Sequence, residues 1–169
     1  MRAKLDPTKA RLILVCGLQG AGKTTVAKKI ATSLPALILR TDVIRKQMFE
    51  APQYTELEMQ KVYDEMFLRA RRLLHKKRTV VLDATFLKEL NRHQAKELAE
   101  EAGSDFMVVL VQCDDEQAIR KRIRERTDQS DATHDVRLTS RFEPIVGAYV
   151  IVNNCGGFEG IDDQLRNYF

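Results

Sequence analysis

The sequence predicts an α/β fold around a mainly parallel five-stranded sheet, and three observations predict it. Short apolar runs alternate with longer helical stretches along the chain. The runs are apolar on consecutive positions rather than on alternate ones, as in strands covered on both faces. The first run leads into a glycine-rich turn that opens a helix. The 169 residues carry Lys+Arg 28 against Asp+Glu 24, a net charge of +4, with 44% hydrophobic and 31% charged residues. That composition is ordinarily globular and excludes collagen-like and wholly disordered chains. The length fits a single domain, expected to span residues 1–169 with 1–10 as an N-terminal extension.

The first strand is Leu12–Cys16 (LILVC), followed across the glycine-rich turn by a helix, Lys23–Ser33. Ala36–Leu39 (ALIL) is the second strand and Asp42–Phe49 the next helix. A long helix, Glu56–Lys76, ends in the basic run Arg69–Arg78, which reads as a solvated helix end favoured by the dipole. Thr79–Leu82 (TVVL), the helix Leu87–Ala102 and the strand Phe106–Val111 (FMVVLV) follow. The next helix, Asp115–Arg126, carries acidic residues at its start and arginines towards its end, as the dipole favours. Ala148–Val152 (AYVIV) and the helix Ile161–Tyr168 close the pattern.

In such folds ligands bind beyond the C-terminal ends of the strands, so the residues there are the candidates for chemistry. After the first strand stands Gly17-Leu18-Gln19-Gly20-Ala21-Gly22-Lys23-Thr24-Thr25, a G-x-x-x-x-G-K-[ST] phosphate loop. Small residues let backbone N–H groups curl around a phosphate, and the helix N-terminus adds partial positive charge. Gly20, Ala21, Gly22, Lys23, Thr24 and Thr25 are therefore the expected nucleotide-binding residues, with Lys23 on the β- and γ-phosphates and the Thr24 hydroxyl on Mg²⁺. No Asn-Lys-x-Asp occurs, and the third strand leads into Asp83-Ala84-Thr85-Phe86 rather than Asp-x-x-Gly, which excludes a GTPase. The chain is short for a motor or a large ATPase, which leaves the small P-loop kinases.

After the second strand, Asp42 and Arg45 stand three residues apart, on one helix face. A kinase needs a carboxylate to take the acceptor hydroxyl's proton and a cation to hold the acceptor, and this pair supplies both. The simpler reading is that Thr41 or Asp42 only caps the helix. Asp83, at the end of the third strand, is the expected partner of Thr24 at the metal. Arg120, Lys121, Arg122, Arg124 and Arg126 lie on one predicted helix, before the polar stretch Thr127–His134. Arginines beside such a loop could close over the phosphates as a lid, over about 120–138. Arg122 and Arg126, four apart, share a face.

Together, GLQGAGKTT, TDVIRKQ, VVLDATF, the Arg-rich helix and SDATHDVRLTSRFEP resemble a family of small P-loop kinase-like proteins described as AAA-family ATPases or kinases. That family is similar to the kinase domain of phage-type polynucleotide 5′-kinase. The resemblance spans about Leu12 to Pro144. It implies a three-layer α/β/α sandwich with sheet order 2-3-1-4-5, a helical lid and transfer of the ATP γ-phosphate to a hydroxyl. It implies Asp42 as general base, Arg45 as acceptor-site arginine, Arg126 as a lid arginine on the donor phosphates and Arg120 near the adenine. It also places the adenine by the loop Asn153–Gly157. The chain departs from the family's DATN by carrying Phe86 in place of the Asn.

The expected function is an ATP- and Mg²⁺-dependent phosphotransferase. Because no basic groove with interleaved aromatics is visible, a small-molecule acceptor is favoured over a polynucleotide 5′-hydroxyl. A nucleotide-binding switch module without catalysis is the other alternative. Three cysteines without CxxC spacing suggest neither a zinc site nor a redox pair. No apolar stretch approaches the length of a membrane span, and a cytoplasmic protein is expected.

Overall fold

A computed structural model describes residues 9–125, 140–156, 160–166, 168 and 169. The chain enters through β1 (Arg11–Cys16), whose residues from Leu12 to Cys16 are all fully buried. Burial on both faces is what a run of consecutive apolar residues requires of a central strand. Along β1 the side chains alternate between two cores. Leu12, Leu14 and Cys16 face one, while Ile13 and Val15 face the other.

The remaining elements follow in chain order: α1 (Lys23–Ser33), β2 (Ala36–Arg40), α2 (Thr41–Met48), α3 (Glu56–His75), β3 (Thr79–Asp83), α4 (Glu89–Glu101), β4 (Asp105–Gln112), α5 (Glu116–Arg124), β5 (Val150–Asn153) and α6 (Ile161–Leu165). The five strands form one parallel sheet in the order β2-β3-β1-β4-β5, the order the resemblance implied. Helices α3 and α4 cover one face through Val62, Met66, Ala70, Leu74, Ala95, Leu98 and Ala99. Helices α1 and α6 cover the other through Val26, Ala27, Ile30, Ile161 and Leu165. The protein is thus a three-layer α/β P-loop fold.

Most boundaries shift from expectation by a residue or two, and three of the shifts bear on the site or its surroundings. Helix α4 begins at Glu89 rather than Leu87. Phe86 adopts a left-handed backbone, φ 47°, and the buried Arg92 guanidinium donates to the Phe86 and Leu87 carbonyls, which holds that turn out of the helix. Strand β5 runs Val150–Asn153 rather than Ala148–Val152, because its register starts with Val150 opposite Val109. The last helix ends at Leu165, short of Tyr168. Arg92 also donates to the carbonyls of Glu143 and Pro144, which fastens the returning chain beside the third-strand loop. No described helix is long and apolar enough to cross a membrane.

Candidate functional site

Sheet order places the ends of β1, β2 and β3 side by side, and the candidate residues converge there. The phosphate loop leaves β1 at Gly17, where φ is 139° and an added Cβ would stand 2.3 Å from the Val111 carbonyl oxygen. At Gly22, φ is 91° and a Cβ would stand 2.0 Å from Asn154 Nδ2. Both positions therefore require glycine. Gly22 is the N-cap of α1 and no side chain caps that helix end, so its terminus faces the loop's hollow with its partial positive charge. Lys23 Nζ bends back and donates to the Leu18 carbonyl at 3.0 Å.

Next to the loop, the Thr24 hydroxyl donates to Asp83 Oδ2 at 2.7 Å, joining the two residues expected at the metal. Asp83 is 5% exposed. Among the described residues no group of three or more His, Cys, Asp or Glu could hold a metal by itself. A hydroxyl and a carboxylate beside a phosphate cradle fit Mg²⁺ instead, which keeps waters and takes its remaining ligands from phosphates.

Asp42 lies in the first turn of α2, which begins one residue earlier than expected, at Thr41. The N-cap of that helix is Arg40, which makes no side-chain cap, and among the described residues neither Thr41 nor Asp42 takes a capping bond in its place. Burial and the charge of Asp83 push the Asp42 carboxyl above the usual aspartate range, against the pull of Arg40, Arg45 and Lys23. The candidate base, the loop lysine and Asp83 thus share one electrostatic neighbourhood.

Arg45 faces Asp42 as expected, at 3.6 Å, but it is not a freely offered cation. Its side chain is 8% exposed and its Nε lies 3.0 Å from Glu58 Oε1, off the line of a hydrogen bond. Its guanidinium also lies 4.6 Å from the centre of the Tyr54 ring. The other Glu58 oxygen accepts from the backbone N–H groups of Gln53, at 2.6 Å, and Tyr54, at 3.2 Å. Thr55 caps α3 by accepting from the Glu58 N–H at 3.2 Å, which fixes Glu58 at the point where Arg45 arrives.

On the opposite flank, Arg122 points at the loop, with Nη1 donating to the carbonyls of Gly20 and Ala21 at 3.5 Å each. Arg120, expected near the adenine, is exposed on α5, two residues from Arg122 and so on a different face of that helix. Arg126 and the lid stretch Thr127–His134 lie outside the described residues, as does Gly157. Phe86 does not line the site. It is fully buried, with ring centres 5.2 Å from Tyr63 and 6.5 Å from Phe67, and its N–H donates to the Tyr63 hydroxyl.

The AAA domain family matches residues 12–143. The chain belongs to the AAA domain family. An uncharacterized protein of Mycobacterium tuberculosis is 30% identical over 112 residues, 59% of this chain. The chain spans between 12% and 22% of the length of the curated relatives it matches. Solved structures that share the fold include two kinases. The Mycobacterium tuberculosis APS kinase, solved with AMPPNP and APS, superposes with a TM-score of 0.73 at 18% identity, over 96% of each chain. A gluconokinase from Sinorhizobium meliloti superposes with a TM-score of 0.63 at 18% identity, over 94% of this chain and 88% of that one.

Within this family member, sequence reasoning missed three features of the site. Asn154 is 3% exposed and its Nδ2 donates to the loop carbonyls of Ala21, at 3.2 Å, and Gly22, at 3.5 Å. Arg40 bonds both Thr24 and Asp83. The Cys113 and Cys155 thiols are hydrogen-bonded to each other, and the Asp114 N–H donates to Cys155 Sγ at 3.1 Å. The hydrogen bond from Cys113 holds the Cys155 thiol below its usual range, so spacing alone concealed a thiol pair. A polar residue after the last strand was the only sequence signal for any of these.

Proposed function

We propose that this protein is a Mg²⁺-dependent phosphotransferase that moves the γ-phosphate of ATP to a hydroxyl of a small molecule. The observation that carries this reading is the Asp42 carboxylate, uncapped, raised in pKa and within electrostatic reach of Lys23 and Asp83. A switch that only bound nucleotide would have no use for a base at that point.

The loop backbone and the N-terminus of α1 would cradle the phosphates, with Lys23 released from the Leu18 carbonyl to meet them. Mg²⁺, held through Thr24 with Asp83 behind it, would supply neutralisation of the phosphate charge. Asp42 would accept the acceptor hydroxyl's proton as its oxygen bonds to the γ-phosphorus and the bond to the ADP oxygen breaks. The raised pKa makes Asp42 a better base near neutral pH. Arg45 would orient Asp42 rather than gather anions, because Glu58 already balances its charge. That balance favours a neutral, hydroxyl-bearing acceptor over a polynucleotide 5′-end.

A transfer screen tests the reading. Wild-type and Asp42→Asn protein would meet labelled ATP, Mg²⁺ and separate pools of sugars, nucleosides, aminoglycosides and 5′-hydroxyl RNA or DNA. Label on a small-molecule pool is expected, with turnover falling about 10²–10⁴-fold in Asp42→Asn and nucleotide affinity little changed. Label on the nucleic acids would replace the acceptor with a polynucleotide. Tight nucleotide binding with no transfer to any pool would favour the switch.

A further inference from the structure

Arg40 is the last residue of β2 and the N-cap of α2. A cation is poorly placed there, since it meets the positive end of the helix dipole, and no capping bond is gained. What Arg40 does instead is set by the sheet. The parallel register pairs Arg40 with Asp83, so the two side chains stand together. Arg40 Nε donates to Asp83 Oδ2 at 3.1 Å and Nη2 donates to Thr24 Oγ1 at 3.2 Å. Thr24 donates to the same Asp83 oxygen at 2.7 Å, which closes a triangle. The Arg40 and Asp83 side chains are 16% and 4% exposed.

A hydroxyl has one hydrogen and two lone pairs. The Thr24 hydrogen goes to Asp83 and one lone pair receives Arg40. A divalent cation approaching Thr24 therefore meets a guanidinium already in place, and the Asp83 charge it would use is already balanced. Like charges at that range in a half-buried site repel substantially.

We propose that Arg40 is a positioning residue that holds the Thr24–Asp83 pair as a built-in monovalent counter-cation, competes with Mg²⁺ for it, and so sets the Mg²⁺ concentration at which the site loads. This rests on the Mg²⁺–nucleotide reading above. In the metal-free protein Arg40 keeps a buried carboxylate paired. When Mg²⁺ and nucleotide arrive it yields the Thr24 lone pair.

The test titrates Mg²⁺ against a fixed concentration of a fluorescent, non-hydrolysable ATP analogue, using wild type, Arg40→Gln and Arg40→Lys. A neighbouring guanidinium changes a carboxylate's affinity for a competing cation, the proton, by one to three decades. The half-saturating Mg²⁺ concentration should therefore fall about tenfold in Arg40→Gln. Arg40→Lys keeps the charge but not the fork that bridges both partners, and should fall between the two. In parallel, melting is followed against MgCl₂ alone. Arg40→Gln should melt lower than wild type without metal and recover more on adding it, whereas a purely structural role would lower melting equally at every Mg²⁺ level. An unchanged or higher Mg²⁺ requirement in Arg40→Gln, or in Arg40→Lys if Arg40→Gln does not fold, overturns the role of Arg40 alone. A wild type that binds the analogue at no Mg²⁺ concentration overturns the nucleotide reading and this inference with it.

Discussion

Asp42 is held in a place that suits chemistry more than folding. Burial and Asp83 raise its pKa, so the folded protein holds that proton more tightly than the unfolded chain does. Stability from such a group is fully present below the ordinary aspartate value and is lost as pH rises through the raised one. Asp42→Asn should therefore melt higher than wild type at neutral pH, with the gap closing below about pH 4, near the unperturbed aspartate value. Calorimetry of both proteins across that range checks it, and an equal gap at every pH would refute it. The candidacy of Asp42 was legible in the sequence because a carboxylate after a strand end, three residues before an arginine, is a local pattern. The state of Arg45 was not, because Glu58 and Tyr54 reach it from a different segment of chain. Cys16 shows the same division. Burial pushes its thiol up to about 12, which its place in an apolar run foreshadowed, whereas the contact of Cys113 with Cys155 was not legible.

At the scale of elements, the phosphate loop is more than the turn between β1 and α1. It is clamped from outside by Asn154, which follows β5, and by Arg122 on α5. Strand β5 lies two places from β1 in the sheet, and only β4 separates them. Asn154→Ala would remove this donor from two loop carbonyls that keep others, Arg122 on Ala21 and the N–H groups of Thr25 and Val26 on Gly22, so the expected cost in stability is that of a net hydrogen bond, about 0.5–1.5 kcal/mol. It should also weaken nucleotide binding, because the loop must then be ordered by the ligand. Urea denaturation and an analogue titration on the same variant measure the two effects. The strands and the helix α1 were readable from periodicity, and α1 matches its expected bounds, Lys23–Ser33. The clamp was not readable, since an asparagine in a glycine-rich loop gives no sign of which carbonyl it will meet.

Across the whole molecule, the two cores on either side of the sheet have separate tasks. The core under α3 and α4 carries the aromatic cluster of Tyr63, Phe67 and Phe86 directly behind the third-strand loop. Phe86 therefore supports the site from within rather than shaping an acceptor pocket. Phe86→Asn should cost about 3 kcal/mol from lost burial, less a small gain because Asn tolerates the left-handed backbone better. Equilibrium unfolding in urea measures it. A variant as stable as wild type would show that the cluster is not a support.

By itself the sequence determined the fold class, the order of strands and helices, the phosphate loop and the candidacy of Lys23, Thr24, Asp42 and Asp83. Each of these rests on a signal contained within a few turns of chain: apolar runs, glycine spacing, or a charge after a strand end. Only the tertiary structure decided what surrounds them. Arg40 meets Asp83 because β2 and β3 pair in register, Arg45 is balanced because α3 begins with a capped Glu58, and Asn154 reaches the loop because β5 flanks β4. Those contacts join residues far apart in the chain, and an ion pair or hydrogen bond depends on distance in space, to which sequence separation is blind.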